Sequence, residues 1–455
     1  MSLTTEVSRW LAAGGVGLSY AAFCAFVLAR ARQRNASRQL VVPVDGAGKA
    51  VLIAYASQSG FAEELAGRAA DALVAGGQAV TCLPLGKLDA AILANTDQAL
   101  FIVSTAGEGD PPDNALAFVD KLMTAVPDLG HLHYGLLALG DRSYVRYCGF
   151  GRTLREWLVA RGAVAMFSPI EVDRGDAAAL QDWSGRVAHL AGTADLPDWQ
   201  GPGFERWRIA ERRCLNPGSV GAPAFHLELL PLDPGRMPVW EAGDLVQVLP
   251  PGEGQRPREY SIASTPADGR IHLLVRQFRD PSGQLGLASG WLTEGAGLDS
   301  EIALRWRAHR NFRLGDNDKR PLILIGSGTG IAGLRAHLKA RAQRGDGRNW
   351  LIFGERNAVS DFFYRSEIEA WQADDLLVRV DLAFSREHGG TRYVQDVLRK
   401  AAMTLREWID GGAAIYVCGS AGGMGAGVDA VLVELLGREV RDALLKSGRY
   451  RRDVY

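Results

Sequence analysis

Two short turns in this chain combine glycine with hydroxyl side chains, a composition that suits phosphate binding. Residues 57–60 read Ser-Gln-Ser-Gly and residues 326–330 read Gly-Ser-Gly-Thr-Gly; each turn follows an apolar run and precedes a run with helical periodicity. A helix that begins at such a turn presents unpaired N–H groups and the positive end of its dipole to an anion. The first turn lacks the lysine of a triphosphate-binding loop and so suits a monophosphate, whereas the second is typical of dinucleotide binding. An ordinary serine-glycine turn is the alternative for residues 57–60.

A further group of residues lies between these turns and has the chemistry to bind a pyrophosphate and a flat ring. Arg258, Tyr260 and Ser261 precede a predicted strand, and residues 286–289 (Gly-Leu-Ala-Ser) precede a helical run. An arginine fork pairs well with a pyrophosphate, and the start of a helix adds backbone amides.

Two loops after the first turn strengthen the prediction of a site there. Residues 104–112 follow a predicted strand over 99–103, and residues 140–144 follow one over 135–139. In an open parallel sheet, the loops at the carboxyl ends of the strands meet at one edge. Tyr144 is then placed to cover a flat ring; the alternative is a loop tyrosine that packs on a helix.

The order of these elements predicts an α/β multidomain chain. With 455 residues the chain is too long for a single core. We expect an open parallel domain at 50–195, a Pro/Gly-rich linker at 196–203, a small antiparallel barrel at 204–315 and a dinucleotide-type βα domain at 316–455.

Composition excludes several classes of function. A formal net charge of -1 argues against a nucleic-acid partner. The five cysteines are far apart and have no CxxC spacing, so we predict neither a disulfide nor a metal site. Residues 50–195 are acidic, with ten Lys and Arg against seventeen Asp and Glu. This acidic segment can face solvent, another domain or a basic partner.

The N-terminal segment has the pattern of a membrane anchor. Residues 11–29 contain no charge and would form a helix about 28 Å long, enough to cross a bilayer. Four arginines follow within residues 30–38, and the positive-inside rule then leaves the rest of the chain in the cytoplasm. We predict an anchor at 1–34, with a helix over about residues 10–30 at a bacterial inner membrane, and a tether at 35–49. A cleaved signal peptide is the alternative.

Four sequence motifs together resemble the NADPH-dependent diflavin reductase family, and within it the sulfite reductase flavoproteins. They are STAGEGDPPDN at 104–114, LGDRSY at 139–144, GSGTGIA at 326–332 and RYRRDVY at 449–455. The resemblance implies a flavodoxin-like FMN domain, a ferredoxin-reductase-type FAD barrel and a Rossmann-like NADP domain. It therefore implies FMN, FAD and NADPH as cofactors.

The resemblance also assigns residues to each cofactor. Those implied for FMN are Ser57, Gln58, Ser59, Gly60, Thr105, Ala106, Gly107, Glu108, Gly140, Asp141 and Tyr144. Those implied for FAD are Arg258, Tyr260, Ser261, Gly286, Leu287, Ala288, Ser289 and Tyr455. Those implied for NADPH are Gly328, Thr329, Gly330, Ser385, Arg386, Arg392, Tyr393 and Gln395. The implied catalytic set is Ser261, Cys418, Asp453 and Tyr455.

The sequence departs from the family pattern at several points. Phe61 replaces a small polar residue, and Ala106 stands where many members carry a second stacking aromatic residue. The usual lysine of the NADPH site is Thr391 here, with Arg392 beside it. Only thirteen residues separate Asp244 from Arg258, too few for the helical connecting domain of the larger members.

The expected activity is transfer of electrons from NADPH to FAD, then to FMN, and on to a one-electron acceptor. The expected partner is a redox protein with a haem or iron centre. The alternatives are direct reduction of ferric chelates or quinones, or a catalytically weak redox-sensing or tethering module.

Overall fold

The computed structural model describes residues 50–107, 109–124, 128–142, 144–192, 203–252, 255–387 and 390–455. The predicted anchor at 1–34, the tether at 35–49, most of the linker at 196–203 and Glu108 lie outside these ranges. Within the ranges, no helix is both long and apolar enough to cross a membrane. The anchor therefore stays a prediction.

The first domain is built on a parallel sheet. Its strands are β1 (Val51–Ala56), β2 (Val80–Pro84), β3 (Gln98–Ser104), β4 (His133–Gly140), β5 (Val164–Ala165) and β6 (Ile170–Asp173). The strand order is β2-β1-β3-β4-β5, and β6 also pairs with β4. The accompanying helices are Phe61–Ala75, Ala90–Ala94, Leu116–Phe118, Gly149–Ala160 and Ala177–Ala191.

Both faces of this sheet are covered, and the strand sequences are therefore continuously apolar. Neighbouring residues in β1 face opposite cores: Ile53 packs in one with Leu100, and Leu52 packs in the other with Phe101. The loops after β1, β3 and β4 consequently lie together at the carboxyl edge, as the predicted strands require.

The second sheet is antiparallel. Its strands are β7 (Glu205–Cys214), β8 (Ala224–Pro231), β9 (Leu245–Leu249), β10 (Arg258–Ser261), β11 (Ile271–Arg276) and β12 (Glu301–Arg307), in the order β10-β9-β12-β7-β8-β11. Just beyond β10, the Ala263 amide donates to the His272 carbonyl of β11 at 2.8 Å, which brings the two ends of the sheet together. Trp207 and Ile209 alternate into the enclosed core. A four-residue helix, Leu287–Gly290, follows β11.

The third sheet is parallel. Its strands are β13 (Leu322–Ser327), β14 (Asn349–Glu355), β15 (Leu377–Phe384), β16 (Ala414–Gly419) and β17 (Tyr450–Val454), in the order β15-β14-β13-β16-β17. Its helices are Ile331–Arg344, Arg365–Ala373, Val394–Lys400, Ala402–Asp410, Ala426–Leu436 and Arg438–Lys446. The terminal motif is thus an edge strand parallel to β16, a structure that the sequence analysis did not predict for it.

Opposite charges face each other where the first domain contacts the rest of the chain. Each of five ion pairs has its acid within residues 50–195 and its base in a later segment: Glu63–Arg310, Glu64–Arg307, Asp113–Arg452, Asp120–Lys446 and Asp173–Arg256. The acidic segment could face solvent, another domain or a basic partner. These ion pairs show that part of it faces the other domains of the same chain.

Candidate functional site

Three side chains from separate strands meet at one point. Ser261 ends β10, Cys418 lies in β16 and Asp453 lies in β17. The Ser261 hydroxyl donates to Asp453 Oδ2 at 2.7 Å, and the Cys418 thiol donates to the same oxygen at 3.6 Å. Burial, reinforced by the nearby carboxylate, raises the pKa of Cys418 well above its ordinary value, so the sulfur stays protonated at neutral pH. The fold thus joins residues that are far apart in the sequence.

The glycine-rich turn at 326–330 lies directly against this group. A Cβ atom on Gly330 would lie 1.9 Å from the Cys418 carbonyl oxygen, so only glycine allows the turn to approach β16 this closely. The Thr329 hydroxyl lies 3.1 Å from the Tyr455 hydroxyl. Tyr455 therefore lies beside the turn at 326–330, and the helix Ile331–Arg344 begins directly after that turn. This arrangement is expected for a site that binds a dinucleotide.

An ion pair that the sequence analysis missed flanks the same turn. The Arg276 guanidinium pairs with the Glu355 carboxylate, and a Cβ on Gly328 would lie 3.5 Å from each of them. Gly328 itself has a left-handed backbone, with φ 57. Burial, together with the nearby Arg356 guanidinium, lowers the pKa of Arg276. No motif surrounds either residue, and it is the ends of β11 and β14, from two different sheets, that bring them to the turn.

The turn at 57–60 is held by side chains of neighbouring loops. The Ser57 amide donates to Asn114 Oδ1 at 3.0 Å, and the Gln58 amide donates to Ser104 Oγ at 3.2 Å. Within the described part of the chain, the buried hydroxyls of Ser57 and Thr105 have no hydrogen-bonding partner. Buried polar atoms are rarely left unpaired, so two such hydroxyls at one sheet edge fit a bound phosphate or another polar ligand group. FMN supplies such a group.

The two companion loops complete this edge. Ala106 and Asp110 form a backbone bridge that folds the first loop back on itself. In the second loop the Tyr144 amide donates to the Asp141 carbonyl at 3.2 Å, and the Asp141 side chain pairs with Arg174 at 3.1 Å. The Tyr144 side chain is partly exposed, which leaves its ring accessible to a flat partner. Gly107 lies in the first of these loops, and Gly140 is the last residue of β4, directly before the second.

Apart from Tyr455, which follows β17, the residues predicted to bind FAD lie along β10 and at the short helix after β11. Arg258 is exposed, and among the described residues its guanidinium hydrogen-bonds only to the Pro257 carbonyl, at 3.3 Å, which leaves the fork available to a pyrophosphate. Tyr260 is half-buried, and this burial raises its pKa. The Ser289 hydroxyl accepts from the Phe278 amide at 3.1 Å. Gly286, Leu287 and Ala288 lie at the start of the same helix.

The residues predicted to recognise the 2′-phosphate lie in the loop after β15 and at the start of the next helix. Arg386, Arg392 and Tyr393 are exposed, and Ser385 and Gln395 are half-buried. The fold adds a lysine that the sequence analysis missed. Lys400 Nζ donates to Thr391 Oγ1 at 2.7 Å, so an ammonium group lies at the position from which the family's usual lysine is missing.

A buried polar cluster links β8 and β11 to the helices of the third sheet. Ligand atoms of His226, Glu228 and His272 lie within 4.8 Å of one another. Arg335 Nη1 lies 3.2 Å from His272 Nδ1, and Arg270 Nη1 donates to Glu228 Oε2 at 2.7 Å. These cationic neighbours already occupy the groups that a metal would need, and we assign no metal here. Burial lowers the pKa of His226, and it lowers that of His272 to about 4.

Two protein families match this chain. The Flavodoxin family matches residues 53–183, which cover the first parallel sheet, and the Oxidoreductase NAD-binding domain family matches residues 324–429, within the third sheet. The cofactor turns at 57–60 and 326–330 both fall inside the matched segments.

Full-length relatives are sulfite reductase [NADPH] flavoprotein alpha-components. The protein from Neisseria meningitidis serogroup C (serotype 2a) is 28% identical over 540 residues, covering 89% of each chain. The protein from Shewanella sp. (strain ANA-3) is 28% identical over 566 residues, covering 92% of this chain and 93% of its own. The protein from Mannheimia succiniciproducens is 37% identical over 238 residues, 49% of this chain and 39% of its own. The two longer alignments exceed the 455 residues of this chain, so those relatives contain segments that it lacks.

Proposed function

We propose that this chain, an NADPH-dependent oxidoreductase similar to the sulfite reductase flavoproteins with FMN, FAD and NADPH as cofactors, delivers electrons singly to a separate redox protein. Electrons enter from NADPH and leave through the flavins. The proposed order is FAD first and FMN second, and the proposed acceptor carries a haem or iron centre. In this proposal residues 50–195 hold FMN, residues 204–315 hold FAD and residues 316–455 hold NADPH.

The convergence of Ser261, Cys418 and Asp453 beside the 326–330 turn carries this proposal. These residues come from two different sheets, and Ser261 and Cys418 both donate a hydrogen bond to the same oxygen atom of Asp453. A chain that used its cofactors only for shape would have no need of a hydroxyl, a thiol and a carboxylate in mutual contact. This arrangement therefore favours turnover over the tethering alternative.

The chain's own residues have definable tasks. When bound, the nicotinamide and the flavins supply hydride and single-electron chemistry. Asp453 accepts from the Ser261 hydroxyl and fixes its direction, and its carboxylate brings negative charge to the site where positive charge develops. Cys418 stays a neutral thiol and, with Gly330 against its carbonyl, closes one wall of the site to water.

The residues of the first domain would hold FMN by its phosphate and ring. The Ser57 and Thr105 hydroxyls would donate to the phosphate or to polar atoms of the flavin, and Tyr144 would lie against the ring. Because Ala106 provides no second aromatic side chain, we expect one face of the ring to be more accessible than in members with two.

Cofactor analysis and acceptor reduction test the proposal together. The purified protein should release both FMN and FAD and should reduce an artificial one-electron acceptor with NADPH. Tyr144→Ala should retain FAD and lose acceptor reduction, whereas full activity in FMN-free protein would exclude the proposed order. Turnover no faster than that of free flavin would favour the redox-sensing alternative, and two-electron reduction of quinones without FMN would favour direct reduction.

The membrane anchor is part of the same proposal. It is supported by the uncharged stretch at 11–29 and the arginines after it. Partition of the full chain with membranes, and its release by removal of residues 1–34, would test it. Co-purification from detergent extracts would then identify the acceptor.

A further inference from the structure

The last residue of β12 and the segment after it contact the turn at 57–60 directly. Three side chains from this stretch donate to backbone carbonyls of that turn. The Asn311 amide donates to the carbonyls of residues 57 and 58, the latter at 3.3 Å. His309 Nε2 lies 3.0 Å from the Gln58 carbonyl, and Arg307 Nη2 donates to the Ser59 carbonyl at 3.3 Å. We call the side chains of Arg307, His309 and Asn311 the carbonyl clamp.

The clamp is held rigidly by its own side of the interface. The fully buried Asp244 carboxylate accepts from the His309 amide at 3.0 Å and from Arg313 Nε at 2.7 Å. From β17, Arg451 Nη1 donates to the carbonyls of Arg310 at 3.1 Å and Arg313 at 2.8 Å. A buried carboxylate and a strand therefore hold the backbone of the clamp through contacts that do not involve the first domain.

The turn is shaped to receive this contact. Gly60 has φ 88, and a Cβ there would lie 2.7 Å from the Ala308 carbonyl oxygen. The guanidinium of Arg307 lies 5.2 Å from the centre of the Phe61 ring, and Arg307 Nε lies 3.6 Å from Glu64 Oε2. Phe61, which departs from the family pattern, thus packs against Arg307 of the clamp.

Contacts with the carbonyls control the amides of the same turn. A peptide unit is planar, so fixing the carbonyl of one residue fixes the direction of the next N–H. A carbonyl that accepts a hydrogen bond also polarises its peptide, which makes that N–H a better donor. Holding the carbonyls of residues 57–59 therefore orients and strengthens the amides of residues 58–60. The Gln58 amide already donates to Ser104 Oγ, so a phosphate would meet the amides of residues 59 and 60.

We propose that the carbonyl clamp completes the FMN phosphate site, so that FMN affinity depends on a segment outside the FMN domain. The proposal rests on the assignment of residues 57–60 to FMN. Docking of the first domain and retention of FMN would then support each other, because each needs the same conformation of the turn.

Equilibrium binding of FMN and riboflavin to the flavin-depleted full chain tests this. Asn311→Ala and His309→Ala each remove a donor to the turn, and a lost hydrogen bond should raise the FMN dissociation constant about 3- to 10-fold. Riboflavin has no phosphate, and its dissociation constant should change less than twofold. FAD content and the thermal midpoint, measured alongside, identify a variant that is merely misfolded, and Asn311→Asp provides an isosteric replacement that removes the same donor.

Arg310→Ala is the matched control. Arg310 lies in the same segment and pairs with Glu63 across the interface, but its side chain makes no hydrogen bond to the 57–60 carbonyls among the described contacts. The Arg310–Glu63 pair is half exposed on the arginine side and should contribute little to docking, so the FMN affinity of Arg310→Ala should stay within twofold of the parent. An equal loss in Arg310→Ala, an equal loss of riboflavin, or unchanged FMN affinity in the Asn311 and His309 variants would overturn the clamp. A parent chain that binds no FMN would instead refute the proposed function.

Discussion

Arg452→Ala should weaken the contact between the first domain and the remainder of the molecule. Arg452 pairs with Asp113, Nε lying 3.3 Å from Oδ2, and its own carbonyl accepts from Gln58 Nε2 at 3.4 Å. The guanidinium thus links the edge strand β17 to the loop that follows β3. Neighbouring negative charge raises the pKa of Arg452 in spite of its burial, so this residue is cationic at every practical pH.

The burial of the pair sets the size of the effect. The two side chains are 23% and 15% exposed. Removing one partner of a fully buried pair costs about 3–5 kcal/mol, and an exposed pair contributes about 0–1 kcal/mol. At this intermediate burial we expect a loss of about 2 kcal/mol, or about 30-fold in the docking equilibrium constant.

Small-angle X-ray scattering across a sodium chloride titration measures the docked fraction. The variant should open at lower salt than the parent, because the remaining interdomain pairs are screened more easily. Lys446→Ala is the control, since its pair with Asp120 is more exposed, at 37% and 47%, and should shift docking less than about fivefold.

A double-mutant cycle then isolates the pair. If Arg452 acts through Asp113, combining Arg452→Ala with Asp113→Ala should cost little more than either change alone. Strictly additive losses, or an Arg452 variant that opens at the same salt as Lys446→Ala, would refute the reasoning.

Three further changes test the remaining sites. Ser261→Ala removes the donor to Asp453 and should slow NADPH-dependent flavin reduction about 10- to 100-fold in stopped-flow measurements, and a change under twofold would contradict its positioning role. Lys400→Gln should raise the KM for NADPH about 5- to 10-fold and leave that for NADH unchanged, whereas equal changes would show that the lysine does not read the 2′-phosphate. Burial lowers the pKa of His272 in the folded protein to about 4. As the pH falls, His272 is therefore protonated in the unfolded chain before it is protonated in the folded one. Stability should therefore drop by about 1–2 kcal/mol between pH 7 and pH 5, measured by urea unfolding, and His272→Gln should flatten this dependence.

Much of the architecture could be predicted because local patterns determine it. The apolar runs at 99–103 and 322–325 occur as β3 and β13, since a strand covered on both faces needs no polar alternation. The glycines at 328 and 330 could be identified as part of a dinucleotide-binding turn. The structure adds the reason that they must be glycine, which is the left-handed φ of Gly328 and the close contact of Gly330 with Cys418.

The contacts between domains could not be predicted from the sequence. Arg307, His309 and Asn311 belong to no motif, and only the contact between two domains brings them to the turn at 57–60. Lys400 could not be assigned to the NADPH site from sequence because it is nine residues from Thr391. The helix Val394–Lys400 brings the two side chains into contact. Local periodicity contains no information about such encounters.

The alternation of side chains along β17 restricts which changes the C-terminal segment can tolerate. On one face of the strand, Arg451 contacts the carbonyl of Arg313 and Asp453 contacts the Ser261 hydroxyl. Arg452 lies between them and pairs with Asp113 on the other face. Inserting or deleting a single residue upstream of this strand would exchange the two faces. A single inserted or deleted residue would therefore turn both the Asp453 carboxylate and the Arg452 guanidinium away from their partners. We expect natural variants to differ here in residue type and to keep the number of residues after Gly448 constant.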